Sequence, residues 1–252
     1  MKKLVIVLFS AAATGWAFAV DAVDSLVSDE IGVIKIDTQS KNTICAVPWY
    51  ACADGTSNIS VSNVVKTANL TSEDRLYVYH STTGKYDAWK IENNQWVPIS
   101  QAYVDAEGKI QLDPGTSAST YYLSRGDCFW IVREDATKPI YLVGKAPSGS
   151  VAYNSSYKYG SAEKSVYSLI ANNYTNSVSI AEMSFSQSPT EGDMIRFPAV
   201  GSSAPKTIKY TNNKWNRTTL TFEPGMGAWY ISKGTPSEAQ AESGTITWKD
   251  SE

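Results

Sequence analysis

Asn93-Asn94-Gln95-Trp96 recurs downstream as Asn212-Asn213-Lys214-Trp215, and the same spacing carries Asp74 onto Asp193 and Lys90 onto Lys209. Over the ungapped stretch 74–96 against 193–215 only 5 of 23 positions are identical, yet the pattern of side chains survives. Leu76 and Val78 fall on Ile195 and Phe197, the alternation of apolar and polar positions that marks half-buried strands. What keeps its pattern while losing its identities is scaffold, and a scaffold met twice predicts a duplicated module.

Outward from this block the register continues with length changes. Ile59 and Val61 match Val178 and Ile180 at the same spacing. Thr43 to Val47 matches Tyr167 to Ala171 once about five extra residues are allowed near Asp54-Gly55-Thr56, a turn-rich place where insertion costs little. Gly126-Asp127-Cys128-Phe129-Trp130-Ile131 matches Gly225-Met226-Gly227-Ala228-Trp229-Tyr230. The first copy is longer by about twenty residues near 103–123, where Glu107-Gly108-Lys109 and Asp113-Pro114-Gly115 read as two turns around a short strand.

Abundant Tyr, Val, Thr, Ile and Trp, broken by turns such as Thr83-Gly84-Lys85 and Pro224-Gly225, agree with β structure. Strands are predicted near 32–37, 43–48, 75–80, 87–92, 95–99, 128–133 and 140–144. They are predicted again near 166–171, 194–198, 207–211, 214–218, 228–232 and 245–248. Helical turns fit only around 61–67, 180–185 and 236–242. The expected fold is all-β, a duplicated sandwich or barrel-like module with copies at 30–147 and 148–252. Only Ser148-Gly149 to Gly160-Ser161 resembles a linker, and its Tyr153, Tyr157 and Tyr159 point to docking even there. The pairs Leu76/Ile195, Val78/Phe197, Trp96/Trp215 and Trp130/Trp229 are expected in the two cores.

The N-terminus carries Lys2 and Lys3, an apolar run from Leu4 to Phe9, and Ala17-Phe18-Ala19. This is the pattern of a secretory leader at 1–19, and its apolar run is shorter than the roughly 20 residues a spanning helix needs. Of 22 basic residues two leave with that leader, against 25 acidic ones, and no basic cluster remains. Nucleic acid and anionic membranes are therefore not expected partners. In an exported chain one pair among Cys45, Cys52 and Cys128 can bridge, as Cys45–Cys128 or Cys45–Cys52; the alternative is three small buried hydrophobes. The second copy, with Leu169 at the place of Cys45 and Gly227 at that of Cys128, has neither thiol, so a bridge is not something the module requires.

These blocks resemble exported tandem β-repeat proteins of Verrucomicrobia-type bacteria, which carry two copies of Asn-x-Val/Ile-x-x-Pro, Asp-x-Val/Ile-Tyr-x-Tyr/Trp, a following Tyr and Trp, and Gly-x-Gly-Phe-Trp. The matching residues are Asn42-Thr43-Ile44 through Pro48, Asp74-Arg75-Leu76-Tyr77-Val78-Tyr79, Tyr86, Trp96 and Gly126-Asp127-Cys128-Phe129-Trp130. The second copy keeps Asp193, Ile195, Phe197, Trp215 and Gly225 to Trp229, and departs with Arg196 and Pro198 in place of Tyr77 and Tyr79. The resemblance implies export and a duplicated β architecture. It brings no activity, cofactor or catalytic residue.

Candidate chemistry is sparse. His80 is the single histidine, its counterpart is Ala199, and it reads as the end of a strand. One imidazole and three dispersed thiols make neither a four-ligand zinc site nor a nucleophile triad plausible. Asp74 and Asp193 precede strands and read as turn residues, while Arg125-Gly126-Asp127 reads as a turn met by chance in an adhesion-like tripeptide. No catalytic residue, metal or cofactor is assigned. The residual signal lies in Trp49, Tyr77, Tyr79 and Tyr86, whose counterparts are Asn173, Arg196, Pro198 and Pro205. Aromatics the module does not need are candidates for stacking on a sugar or a surface protein. The expectation is an exported, non-catalytic protein with a structural or interaction role, its partner docking on the first module with little dependence on salt. A carbohydrate-binding protein is the alternative, and a glycoside hydrolase with paired carboxylates comes third.

Overall fold

The computed structural model describes residues 27–36, 41–49, 59–80, 85–104, 106–147, 154–161, 163–172, 174, 176–198, 205–236 and 242–248. The expected leader, Cys52 and most of the helical turn expected near 236–242 lie outside them.

The first half runs β1 (Val27–Ile36), β2 (Asn42–Ala46), β3 (Ile59–Ser60), a helical turn α1 (Val61–Val64), β4 (Arg75–His80), β5 (Lys85–Glu92), β6 (Gln95–Pro98), β7 (Gln101–Val104), β8 (Ile110–Asp113), β9 (Tyr122–Leu123), β10 (Cys128–Val132) and β11 (Ile140–Pro147). The second runs β12 (Asn154–Lys158), β13 (Val166–Ala171), β14 (Val178–Ser179), a 3-10 turn Ile180–Glu182, β15 (Met183–Phe185), β16 (Met194–Arg196), β17 (Thr207–Thr211), β18 (Lys214–Trp215), β19 (Thr221–Phe222), β20 (Gly227–Ser232) and β21 (Ser243–Trp248). The fold is all-β. One five-stranded antiparallel sheet has the order β2-β10-β4-β5-β6, the other β13-β20-β16-β17-β18. Strand for strand the two orders correspond. The same holds for β3-β9 and β14-β19, and β1-β11 stands behind the first sheet as β12-β21-β15 stands behind the second. The hairpin β7-β8 occupies the first-half insertion, with two strands where one was expected.

The repeated Asn-Asn pairs explain the matching hairpins. Asn93 and Asn94 have φ of 52° and 60°, and Asn212 and Asn213 of 52° and 59°. A two-residue turn with both centres at positive φ matches the twist of the strands it joins, and Asn tolerates that region better than most side chains. The paired helical turns are capped alike: Ser60 Oγ accepts from Asn63 N, and Ser179 Oγ accepts from Ala181 N.

The first core holds Ile34, Leu142, Leu76, Trp89, Phe129 and Ile131, and the second Tyr157, Trp248, Ile170, Ile195, Ile208 and Tyr230. Leu76, Val78, Trp96, Ile195 and Phe197 are buried as expected, but Trp215, Trp130 and Trp229 are only half-buried. The period of two is the reason. Phe129 and Ile131 take the core side of β10, so Trp130 faces the other way, and Tyr230 forces the same on Trp229. The stretch resembling a linker contains β12, and its Tyr157 is buried in the second core.

One register differs from the sequence alignment. Cys128 pairs with Ala46 and Gly227 with Ala171, so with Cys128 on Gly227, as aligned, Cys45 corresponds to Ile170 instead of Leu169. A slip of one residue turns a side chain to the opposite face. Cys45 and Ile170 each point into a core, whereas Leu169 lies on the other side with Ile44, Ala46, Cys128 and Ala171.

That last cluster joins the halves: the faces of the two large sheets turned away from their cores meet each other. Ala46 N donates to Gly225 O at 2.8 Å across the junction. Gly227 permits the approach, since a Cβ there would stand 2.5 Å from Ile44 Cγ2. Gly227→Ala is therefore expected to cost about 1–3 kcal/mol through overpacking. An unchanged denaturation midpoint would show that the sheets have room to spare there.

Candidate functional site

Both recurring carboxylates serve the scaffold. Asp74, fully buried, accepts from Thr71 N at 2.9 Å and from Glu134 N at 2.8 Å, tying the turn before β4 to the end of β10. Arg133 lies beside it, Nε 3.9 Å from Asp74 Oδ2, with its terminal nitrogens donating to the carbonyls of Lys138 and Asn69. Asp193 repeats the tie through Thr190 N and Lys233 N, and Tyr230 Oη donates to it at 2.7 Å. Burial first, then the Asp193 charge, pushes the Tyr230 phenol far up, so it stays protonated as that donor. Arg125-Gly126-Asp127 is not displayed as an adhesion loop. Arg125 is buried with its guanidinium 5.4 Å from the Tyr174 ring centroid, Gly126 has φ of 90°, and Asp127 accepts from Ser124 N.

Of the alternatives left open by the sequence, Cys45 and Cys128 take the second: both are free, buried thiols. They sit on opposite faces of one sheet, Cys45 in the first core and Cys128 at the junction. Burial raises both thiols well above their ordinary range. Neither is expected to react with iodoacetamide in the folded protein, and both should react in denaturant, as read by peptide mapping. Labelling of either before unfolding would contradict the burial.

The four candidate aromatics part company. Trp49 is 1% exposed and lies in the first core, its ring filling a slot that exists because residues 32 and 144 are glycines; a Cβ at either would come within 2.6 Å of it. It cannot be a stacking platform. Tyr77, Tyr79 and Tyr86 do share one face, the outward one of β4 and β5, because Leu76, Val78 and Trp89 occupy the core side. Their rings form a chain: Tyr77 lies 6.1 Å from Trp130 and 6.2 Å from Tyr86, and Tyr86 lies 5.0 Å from Tyr79. Tyr79 then reaches Trp229 of the second half at 6.1 Å, and Tyr167 stands edge-on to the same indole at 6.2 Å.

Beyond the junction cluster this aromatic chain opens into a cleft of about 560 Å³ between the two sheets. Corresponding positions supply both walls: Tyr79 and Pro198, Tyr86 and Pro205, Trp130 and Trp229, Asn42 and Tyr167. Arg196, exposed on β16 and paired across the ladder with Trp229, is the charged side chain among the described lining residues. Partial burial, and then the Tyr79 hydroxyl, raises the Tyr86 phenol, keeping it a neutral donor. Tyr79 also lines a second cavity of about 450 Å³ rich in hydroxyls, among them Ser155, Ser156, Ser168 and Ser243. Ser155 Oγ is buried there without a hydrogen bond.

Sequence reasoning placed Trp130 and Trp229 in the cores and passed over Tyr167 and Arg196. The signal was in the alternation. Core neighbours Ile195 and Phe197 leave Arg196 no direction but the opposite face, as Phe129 and Ile131 do for Trp130. The cleft beside the first-module aromatics takes its other wall, Tyr167, Arg196, Pro198, Pro205 and Trp229, from the second half.

Among the described residues no three His, Cys, Asp or Glu side chains come together in a metal-binding group, and no helix is long and apolar enough to cross a membrane. His80 ends β4. Comparison of the chain with protein families, with curated proteins and with solved structures finds no match.

Proposed function

We propose that this chain is an exported, non-catalytic protein made of two duplicated β modules, and that it recognises a ligand in the cleft between them. The leader-like N-terminus and the resemblance to exported tandem β-repeat proteins support export. Matching strand orders and matching Asn-Asn turns support duplication. One observation carries the binding role: Tyr79, Tyr86, Trp130, Tyr167 and Trp229 are gathered at an open cleft instead of being spent in a core.

A rigid ring with a hydroxyl or indole N–H at its edge offers a sugar both a stacking face and a hydrogen bond at little entropic cost. Carbohydrate is the ligand class this wall suits. A hydrolase would need two carboxylates about 5–10 Å apart facing the bond to be cut, and the described lining residues include none. Indole fluorescence should therefore respond to a saturable oligosaccharide, and Tyr79→Ala should weaken binding by about tenfold, the loss of one stacked ring. Binding unaffected by Tyr79→Ala and by Tyr167→Ala would remove the cleft from consideration.

A further inference from the structure

On this reading of the cleft, we infer that its ligand is an acidic saccharide, a sugar ring bearing a carboxylate that pairs with Arg196. The chain is net acidic, with formal charge −3, yet the described lining of the cleft carries one charged side chain and it is a cation. Arg196 makes no ion pair or hydrogen bond with any described residue, so its five donors are open to a ligand. A planar guanidinium takes a carboxylate through two parallel bonds, which fixes orientation as well as charge. Its ladder neighbour Trp229, edge-on to Tyr167, places a ring face beside that fork. Stacking surface and anion holder thus lie side by side, at the spacing of adjacent strand positions.

β4 and β16, which carry Tyr79 and Arg196, are paired on both sides within their sheets, so these two residues meet a ligand through their side chains. β2 and β13, the edge strands of the two sheets, add Asn42, Ile44 and Tyr167 to the lining. The side chains on offer are rings, hydroxyls and one guanidinium. A uronic acid supplies a partner for each. This adds a charge term where the sequence led to an expectation of binding with little dependence on salt, and affinity should fall as salt rises.

The test uses the full chain, indole fluorescence, and two probes of equal length, an oligogalacturonate and its methyl ester. The acid is expected to bind about tenfold more tightly than the ester, as a charge-assisted pair exceeds a neutral one. Arg196→Gln should erase that difference and the salt dependence, while Tyr79→Ala weakens both probes. Arg196 is exposed, so the variant should match the parent in thermal midpoint. Equal binding of acid and ester, both weakened by Tyr79→Ala, would overturn the acidic ligand and leave the saccharide cleft standing. Binding of neither would overturn the inference; Tyr79-dependent quenching by a proline-rich peptide would then preserve a recognition cleft with a different occupant, and its absence would remove the cleft reading too.

Discussion

Asp74→Ala should lower the stability of the protein by about 3–5 kcal/mol, the cost of leaving one member of a buried ion pair uncompensated. The side chain is fully enclosed, as is that of Arg133. Its removal orphans Thr71 N and Glu134 N and leaves a guanidinium with only carbonyls for company. Adding Arg133→Met should recover part of the loss, because the unpaired charge goes with it. The comparison belongs in a double-mutant cycle read by denaturant midpoints. A single-variant loss below about 1 kcal/mol, the range of exposed pairs, would mean that water reaches the site.

Trp89→Ala should cost a similar 3–5 kcal/mol as a large-to-small change in a closed core. Trp89 is 0% exposed, its Nε1 donates to Thr116 O at 2.8 Å, and Tyr121 packs edge-on against it at 4.8 Å. Trp130→Ala, on the open side of the same sheet, should cost clearly less. Equal losses in the two variants would show that the cleft is closed in solution and that its aromatics are structural filling.

How far the fold was legible depended on whether local chemistry or global packing decided each element. The Asn-Asn turns and the alternation around Leu76 and Val78 are local, and the strands they predicted are present. β12 escaped notice because Ser155 and Ser156 dilute its apolar signal, although Tyr157 anchors the second core. β3 and β14 are two residues long and carry no period at all. Asking which rings the second half dispenses with leads to two that line the cleft, Tyr79 and Tyr86, and to Tyr77 on the same sheet face. Trp49 failed that criterion because its slot is made by Gly32 and Gly144, far away in the sequence. Trp130 and Trp229 failed it in the opposite sense: recurrence was equated with burial, whereas both halves keep an indole on a face that becomes important only when two sheets meet.

The meeting of those two faces bears on how such a protein comes to be asymmetric. On the duplication proposed above, a solitary ancestral module would have met a second molecule of itself through this face, in an isologous dimer whose two walls are the same residues by necessity. Any substitution there would have appeared twice. Fusion into one polypeptide lifts that bond, and each wall drifts alone: Tyr77 faces its task as tyrosine while its counterpart is Arg196, Tyr79 opposes Pro198, and Cys128 abuts Gly227. A self-mirrored groove thereby acquires a direction, with a guanidinium on one side only, and under the proposed binding role that direction would distinguish one end of an oligomer from the other.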